Sequence, residues 1–367
     1  MVGSRFPDEG RMRHGALVGM VVMVAACGGG DGGSGTPDAS APDASRPDGA
    51  APAVDAVVDA SAGDAAVPTG AYHHYVLRRL LIPRTPAEKT AFGLNIDGDP
   101  ADVVDNALGG LLQFLGTQGF AFQASIDAAI AAGQVVQLHS MRADDLASDD
   151  SVSWQVFLGD ASAAPPAFDG ADTFTVSASS PTPPAILLGA IAGGLFRGGP
   201  GTIAVELPLP SGATATLHLV GARIATTEPV SDGAAVGKLG GGVLDSEVDA
   251  VLLPAMAVEF TAVLVGDGCA VTGGMCVCPM GSNGATLEAF GLDPNHDCLI
   301  TAAELMANAA ISAFLAPDID LLDCGGAMPQ TCDPATSFRP RTDSVNDALS
   351  LGVRIELVKA RFVAPGE

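Results

Sequence analysis

The chain has 367 residues, a formal net charge of −25 and a pI near 4.3. So acidic a balance excludes nucleic acid and anionic surfaces as charge-driven partners and leaves cations as the natural counter-charge. With 48% hydrophobic residues, the length allows one large domain or two ordinary ones with a real core.

Residues 1–27 carry Arg11 and Arg13, an apolar run from Leu17 to Val24, and then Ala25-Ala26-Cys27 before Gly28. That order predicts a lipoprotein signal peptide in which Cys27 is lipidated. The basic start and apolar run are those of a secretory signal, and the run is too short to span a bilayer permanently. The small residues before Cys27 let a peptidase bind extended backbone. The lipid bilayer then becomes a partner through the Cys27 acyl anchor, and the remainder folds where thiols oxidise. By the sorting rule of Gram-negative lipoproteins, which asks for Asp after the cysteine for inner-membrane retention, Gly28 points to the outer membrane. Periplasmic and external faces both stay open.

Residues 28–70 repeat Pro-Asp-Ala-Ser units and contain no large apolar residue besides Val. They predict a disordered tether, because such a segment buries too little apolar surface to offset chain entropy. Residues 71–83 read as an opening strand, and residues 104–133 carry helical spacing that stops at Gly133. Strand-length stretches follow at 134–143, 151–159, 172–179, 201–209 and 213–228, each bounded by Gly, Pro or Asp. Gly193-Gly194 and Gly240-Gly241-Gly242 read as turns or bulges. Asp245-Ser246-Glu247 opens a helix that Pro254 is able to kink, and its all-round apolarity predicts burial. Asp249 and Glu259 argue against a membrane span. The last strand, 348–363, is long and alternating and returns to the main sheet.

Six cysteines, Cys269, Cys276, Cys278, Cys298, Cys324 and Cys332, crowd into a Cys-rich module at about 266–334. In an oxidising compartment an even number implies disulfides, with the pairing open among the fifteen connectivities six cysteines allow. Zinc is the rival reading, but Cys276-Val277-Cys278 is C-x-C instead of C-x-x-C.

Within that module, Asp293-Pro-Asn-His-Asp-Cys-Leu-Ile-Thr-Ala-Ala-Glu304 matches the twelve-residue EF-hand calcium loop. Asp293, Asn295 and Asp297 supply short oxygen side chains at the first, third and fifth places. Leu299 offers its carbonyl, Thr301 fills the place often bridged by water, and Glu304 brings a bidentate carboxylate at a helix start. The sixth place, normally Gly for a sharp left-handed turn, is Cys298. That substitution costs roughly 1–2 kcal/mol unless a disulfide holds the turn. No second full-length loop is present to pair with it, so a structural ion is expected and a signalling switch is not. A second candidate metal site, with no closing glutamate, runs through Asn95, Asp97, Asp99 and Asp105.

Motifs for hydrolysis and phosphate binding are absent: there is no Gly-x-Ser-x-Gly, no His-Glu-x-x-His and no phosphate-binding glycine loop preceding a lysine and a helix. His73 and His74 alternate across a strand and cannot readily share a metal, while His139 and His218 read as ordinary sheet residues and Trp154 as core.

Taken together, FGLNIDGDPADVVDNALGGLL, GTIAVELPL, LVGARI, GGGVLDSEVDAVLLP, LDPNHDCLITAAELMANAAISAFLAPDIDLL and NDALSLGVRIELVKARF resemble a family of predicted myxobacterial lipoproteins, over roughly residues 74–364. The family carries EF-hand-like acidic loops at the positions matching Asp97 and Asp99 and Asp293 to Glu304. It has no assigned activity, so the resemblance implies location and calcium but no reaction. The expected fold is α+β and β-rich: an antiparallel sandwich or open barrel, with a few helices and a disulfide-rich EF-hand-like insertion. The expected role is a calcium-binding envelope lipoprotein that is structural or binds an envelope or extracellular ligand. The alternative is an extracytoplasmic hydrolase using dispersed carboxylates that meet in the fold.

Overall fold

A computed structural model describes residues 68–102, 104–325 and 332–364. Cys27 and the tether up to residue 67 lie outside the described residues.

The chain opens with β1 (Ala71–Leu81), then α1 (Pro86–Phe92), α2 (Ala107–Thr117) and α3 (Phe122–Ala131). Strands β2 (Gln137–Ala143), β3 (Ser148–Leu158), β4 (Ile186–Ala192), β5 (Leu195–Gly198), β6 (Ile203–Pro208), β7 (Thr214–Thr226) and β8 (Ala234–Leu244) follow. Helices come next: α4 (Asp245–Glu247), a π turn (Val248–Leu252) and α5 (Leu253–Gly266). The Cys-rich segment holds a hairpin of β9 (Ala270–Thr272) and β10 (Met275–Val277), with α6 (Asn283–Ala289), α7 (Ala302–Ala307), α8 (Ala309–Leu315) and α9 (Pro334–Ser337). The last strand is β11 (Ala348–Lys359).

Nine strands form one sheet in the order β5-β4-β3-β2-β1-β11-β8-β7-β6, and every pairing between its neighbours is antiparallel. The sheet also closes on itself, because Arg197 and Gly198 of β5 pair with Ala225 and Ile224 at the end of β7. The expected β-rich α+β fold is therefore observed, as a barrel that β6 extends along the first half of β7.

Alternation explains the filling. In β7, Ala215, Leu217 and Leu219 are buried while Thr214 and His218 are exposed, the two-residue period of a strand with one face on a core. A bulge between Val220 and Arg223 then shifts the register against β8. Val220 faces outward by the same alternation, in an outer cluster with Leu94, Ile96, Ile319 and Leu321, and the bulge lets Ala222 and Ile224 resume the interior face. Inside, Tyr75, Met141, Trp154, Phe196 and Leu217 are all buried within the main cluster. They surround one polar chain. Trp154 Nε1 donates to His139 Nδ1 at 3.0 Å, which makes the other imidazole nitrogen the donor toward Gln137 Oε1 at 3.3 Å. Gln137 Nε2 in turn donates to the Ala204 carbonyl at 3.4 Å. Every member finds a partner, and burial pushes the His139 imidazole down to about 3, so it stays neutral.

Strand directions send β1 and β8 out at the end of the barrel from which β11 sets off. The helices gather there. Leu111 and Leu115 of α2, Phe260 and Leu264 of α5, and Leu287, Ile300 and Leu305 of the Cys-rich segment join the barrel residues in one buried cluster. The Cys-rich module thus shares the main core.

Several expectations need correction. Residues 172–179 form no strand; only isolated bridges Thr173↔Arg361 and Gly159↔Val176 occur, and Phe174 covers Val76, Leu138 and Phe157 on the outside. The Ser- and Pro-rich flanks turn that stretch into a cover. Strands β4, β5 and β8 were not foreseen, because glycines interrupt their apolar pattern. Gly193 and Gly194 (φ 59° and 79°) make the β4–β5 turn, and Gly241 sits where a Cβ would fall 2.7 Å from that of Leu219. The helix around Pro254 opens with the π turn, the irregularity the proline predicts. Its burial is one-sided, with Val258 and Val265 exposed at 58% and 68%. Asp245–Gly266 is long and apolar enough to cross a membrane by length and composition. It packs against the core instead, and Glu259, buried there, accepts from the Ser211 amide at 2.7 Å.

Trp154→Phe is expected to cost about 1–3 kcal/mol by leaving His139 Nδ1 without its donor, and a further His139→Leu should recover part of that loss. Urea unfolding midpoints of both variants check this.

Candidate metal centre

Residues 283–307 fold as helix, loop and helix, the architecture of an EF-hand. Ser282 caps α6 by accepting from the Ala285 amide, and α6 stops at Phe290-Gly291, where Gly291 has φ 67°. The loop then winds around Asp293, whose relative exposure is 1%. Asp293 Oδ1 accepts from the Asp297 amide at 3.2 Å and Oδ2 from the Cys298 amide at 2.7 Å. Asn295 Oδ1 shares the Asp297 amide at 3.3 Å, and its Nδ2 donates to Asp297 Oδ2 at 3.2 Å. Asp297 Oδ1 accepts from the Leu299 amide at 2.8 Å. The first, third and fifth places are thereby brought together, their oxygens bound to the backbone of the loop itself.

Cys298, at the sixth place, has φ 61°, and His296 has φ 57°. Both are left-handed, and the side-chain-bearing residue where glycine is usual is held by the Cys276–Cys298 disulfide. The remaining pairs are Cys269–Cys278 and Cys324–Cys332. Sulfur atoms gather at Cys269, Cys276 and Cys278, and again at Cys276 and Cys298 beside Asp293. Since each of these cysteines is in a disulfide, none offers the thiolate that a zinc ligand requires.

Glu304 Oε2 accepts from the Thr301 amide and hydroxyl, each at 2.8 Å, while Thr301 Oγ1 accepts from the Glu304 amide. Thr301 and Glu304 form a capping box on α7. Leu299 is half-exposed, and Ile300 is buried. The Ile300 backbone is satisfied at both ends by a single side chain: Thr261 Oγ1 on α5 accepts from its amide at 3.0 Å and donates to its carbonyl at 3.1 Å. Thr261 ties the loop to the barrel cap, and sequence patterning did not single it out because an isolated threonine in a helix carries no signal.

The second candidate lies elsewhere, on the outer cluster of β7, β8 and β11. Asp97 Oδ1 accepts from the Asp99 amide at 2.8 Å, Asn95 Nδ2 donates to the Asp99 carbonyl at 2.9 Å, and Asp99 pairs with Arg341 at 3.4 Å. Asp105 turns back to accept from the buried Ile96 amide at 2.6 Å, which closes the loop. A later segment lies alongside, where Asp347 accepts from the Leu321 and Leu322 amides. Burial raises the Asp105 carboxyl to about 7, with Asp97, Asp102 and Asp318 adding repulsion. Burial, then Asp320 and Asp343, raises Asp347 to about 6 against the pull of its two amides.

The histidines fall apart in space as their spacing implies: His73 meets Asp232 at 3.1 Å, while the His74 ring packs on Phe362 at 4.5 Å. His218 accompanies Glu247 at 2.8 Å. Two clefts stand out, of about 390 Å³ beside Pro183, Ile186 and His218 and about 220 Å³ beside Arg84, Phe120 and Gln123. Neither is lined by a carboxylate. No protein-family model, curated protein or solved structure matches the chain.

Asp105 binds its proton more tightly folded than unfolded, so its contribution to stability is complete below about pH 3.8 and is lost as pH rises through about 7. Asp105→Asn should therefore melt higher than the parent at pH 8, by on the order of 1–3 kcal/mol, with the gain shrinking toward pH 4. Thermal unfolding across that range reads the sign. Removing the Cys276–Cys298 staple is expected to cost roughly 2–4 kcal/mol. Cys276→Ser with Cys298→Gly should lose roughly 1–2 kcal/mol less than Cys276→Ser with Cys298→Ser, since only glycine takes the left-handed turn without strain. Denaturant titration of the two double variants measures the difference.

Proposed function

We propose that this is a lipid-anchored protein of the cell envelope, held at the outer membrane by Cys27, whose barrel domain is stabilised by a calcium ion in the loop from Asp293 to Glu304. Its role is structural or binding. The observation that carries the calcium reading is the loop's backbone: a helix–loop–helix wound around the buried Asp293, with left-handed turns at His296 and Cys298 and three short oxygen side chains in alternation. Calcium is the cation such a loop suits, because it accepts six to eight oxygens in flexible geometry. The anchor reading rests on the order of residues from Arg11 to Gly28 and on the resemblance to lipoproteins. A structural ion agrees with where the loop sits. Ile300 of the loop and Leu305 directly after it are part of the core that covers the barrel mouth, so holding the loop holds the cap.

Calorimetric titration of calcium into the oxidised chain carrying Cys27→Ser is expected to give one site with a dissociation constant of about 10⁻⁴ to 10⁻³ M, the range of extracellular modules. Calcium should raise the melting temperature of that chain and leave Asp297→Asn unmoved. Absence of heat and of any thermal shift at about ten times the upper value would overturn the reading. Incorporation of radiolabelled palmitate into the parent, and its loss in Cys27→Ser, tests the anchor separately.

A further inference from the structure

The net charge of −25 is not spread evenly over the barrel. Alternation turns Arg79 of β1, Arg354 of β11, Lys238 of β8, Arg223 of β7 and Arg197 of β5 away from the interior, because their chain neighbours Leu80, Ile355, Leu239, Ile224 and Phe196 all belong to the buried core. Strand pairing then sets the cations side by side. Arg354 stands opposite Lys238, Lys238 opposite Ala225, and Ala225 opposite Arg197, so one row crosses from β11 to β5. Arg78 and Arg79, at the bulge of β1, both reach Glu356 of β11, which puts them on the same face. Six of the chain's 17 Lys and Arg therefore share one outer surface.

Positive charge is in excess along the row. Glu356 is shared by three guanidinium groups, with Arg78 at 3.0 Å, Arg79 at 3.7 Å and Arg354 at 3.9 Å. Arg354 meets Glu228 at 3.7 Å, yet its Nε is buried and has no hydrogen-bond partner. Lys238 Nζ donates at 3.0 Å to the Gly93 carbonyl, a neutral acceptor that leaves the charge standing.

What such a row attracts depends on the width of the partner. At physiological salt, charges more than about 8 Å away are screened, so a thin chain laid on the row meets its cations and not the acidic remainder of the surface. A lipid plane or a nucleic-acid duplex is wide enough to meet both, and Lys238 and Arg354 are half-buried, recessed from a flat surface. Guanidinium groups match carboxylates with two parallel hydrogen bonds. Successive strands are about 4.8 Å apart, close to the advance per sugar of an extended polyuronate, which carries one carboxylate on every ring.

We infer that this face binds an extended acidic polysaccharide whose charge is carried by carboxylates, laid across β1, β11, β8, β7 and β5. That partner gives the binding half of the proposed role a ligand class, and neither the calcium loop nor Cys27 enters the inference.

The test uses the oxidised full chain carrying Cys27→Ser, with an oligogalacturonate long enough to cross the five strands, roughly 20 Å, as probe. Chelator is present throughout, so that calcium cannot bridge the sugar to acidic parts of the protein, and binding is read by calorimetry. The parent is expected to bind, more weakly as salt rises. Lys238→Gln with Arg354→Gln should weaken binding at least about fivefold, and so should the exposed pair Arg79→Gln with Arg197→Gln. Arg142→Gln with Arg361→Gln removes the same charge away from the row and should stay within about twofold of the parent. Equal losses in all three double variants would mean attraction to charge in general and would overturn the inference. So would a parent that binds nothing, or one that binds only after the aspartates of residues 28–67 are changed to asparagine, which would make that segment the occupant. Tighter sedimentation with phosphatidylglycerol vesicles than binding to the oligomer would assign the face to lipid and overturn it as well. Circular dichroism of each variant establishes that it is folded before affinities are compared.

Discussion

An antiparallel sheet that closes into a barrel has two mouths, and apolar residues at a mouth have to be covered. The rest of this structure follows from that constraint. Strands β1 and β8 deliver the chain to one mouth and β11 leaves from it, so the segments between them are placed to cap it. Phe120 of the α2–α3 pair meets Phe260 of α5 at 5.2 Å, and Phe114 stacks on Phe314 of α8 at 5.2 Å. The first part of the Cys-rich segment belongs to this cap: two disulfides constrain it, and its buried leucines complete a core that begins inside the barrel.

Much of the fold was legible because alternation is a direct print of a half-buried strand. β1, β2, β3, β6, β7 and β11 stand where period two or an apolar run of strand length is uninterrupted. The strands that escaped are those whose pattern glycine erases. In β8, Gly237, Gly240 and Gly241 sit where the neighbouring backbones of β7 and β11 come close, so the residues that make the packing possible remove the hydrophobic signal that would reveal it. The opposite error at 172–179 has the same root. Its apolar residues do alternate, but they face the outside of the barrel through a loop, and periodicity carries no information about a hydrogen-bonded partner.

The candidate site divides along a similar line. Oxygen side chains at the first, third and fifth places are a local property, and local sequence places them correctly around Asp293. Cys298 was readable as a departure, and its disulfide to Cys276 is the compensation, though the pairing itself was not decidable from spacing. Thr261 was invisible for a different reason. It acts through contacts made by packing one helix against the loop, and an isolated Thr in a helix looks like any surface residue.

The two bonds between Thr261 and Ile300 have a further consequence. In a paired arrangement, the backbone at that place would be the edge through which one loop senses the occupancy of another. Here a hydroxyl from α5 occupies both the donor and the acceptor, so the edge is used up within the chain. Among the described residues no second loop pairs with this one there, so an ion bound as proposed would have no neighbour to communicate with, and its occupancy would follow a simple hyperbola in free cation concentration. Such a centre would report its surroundings gradually, over about two decades of concentration, and behave as a ballast for the fold instead of a trigger.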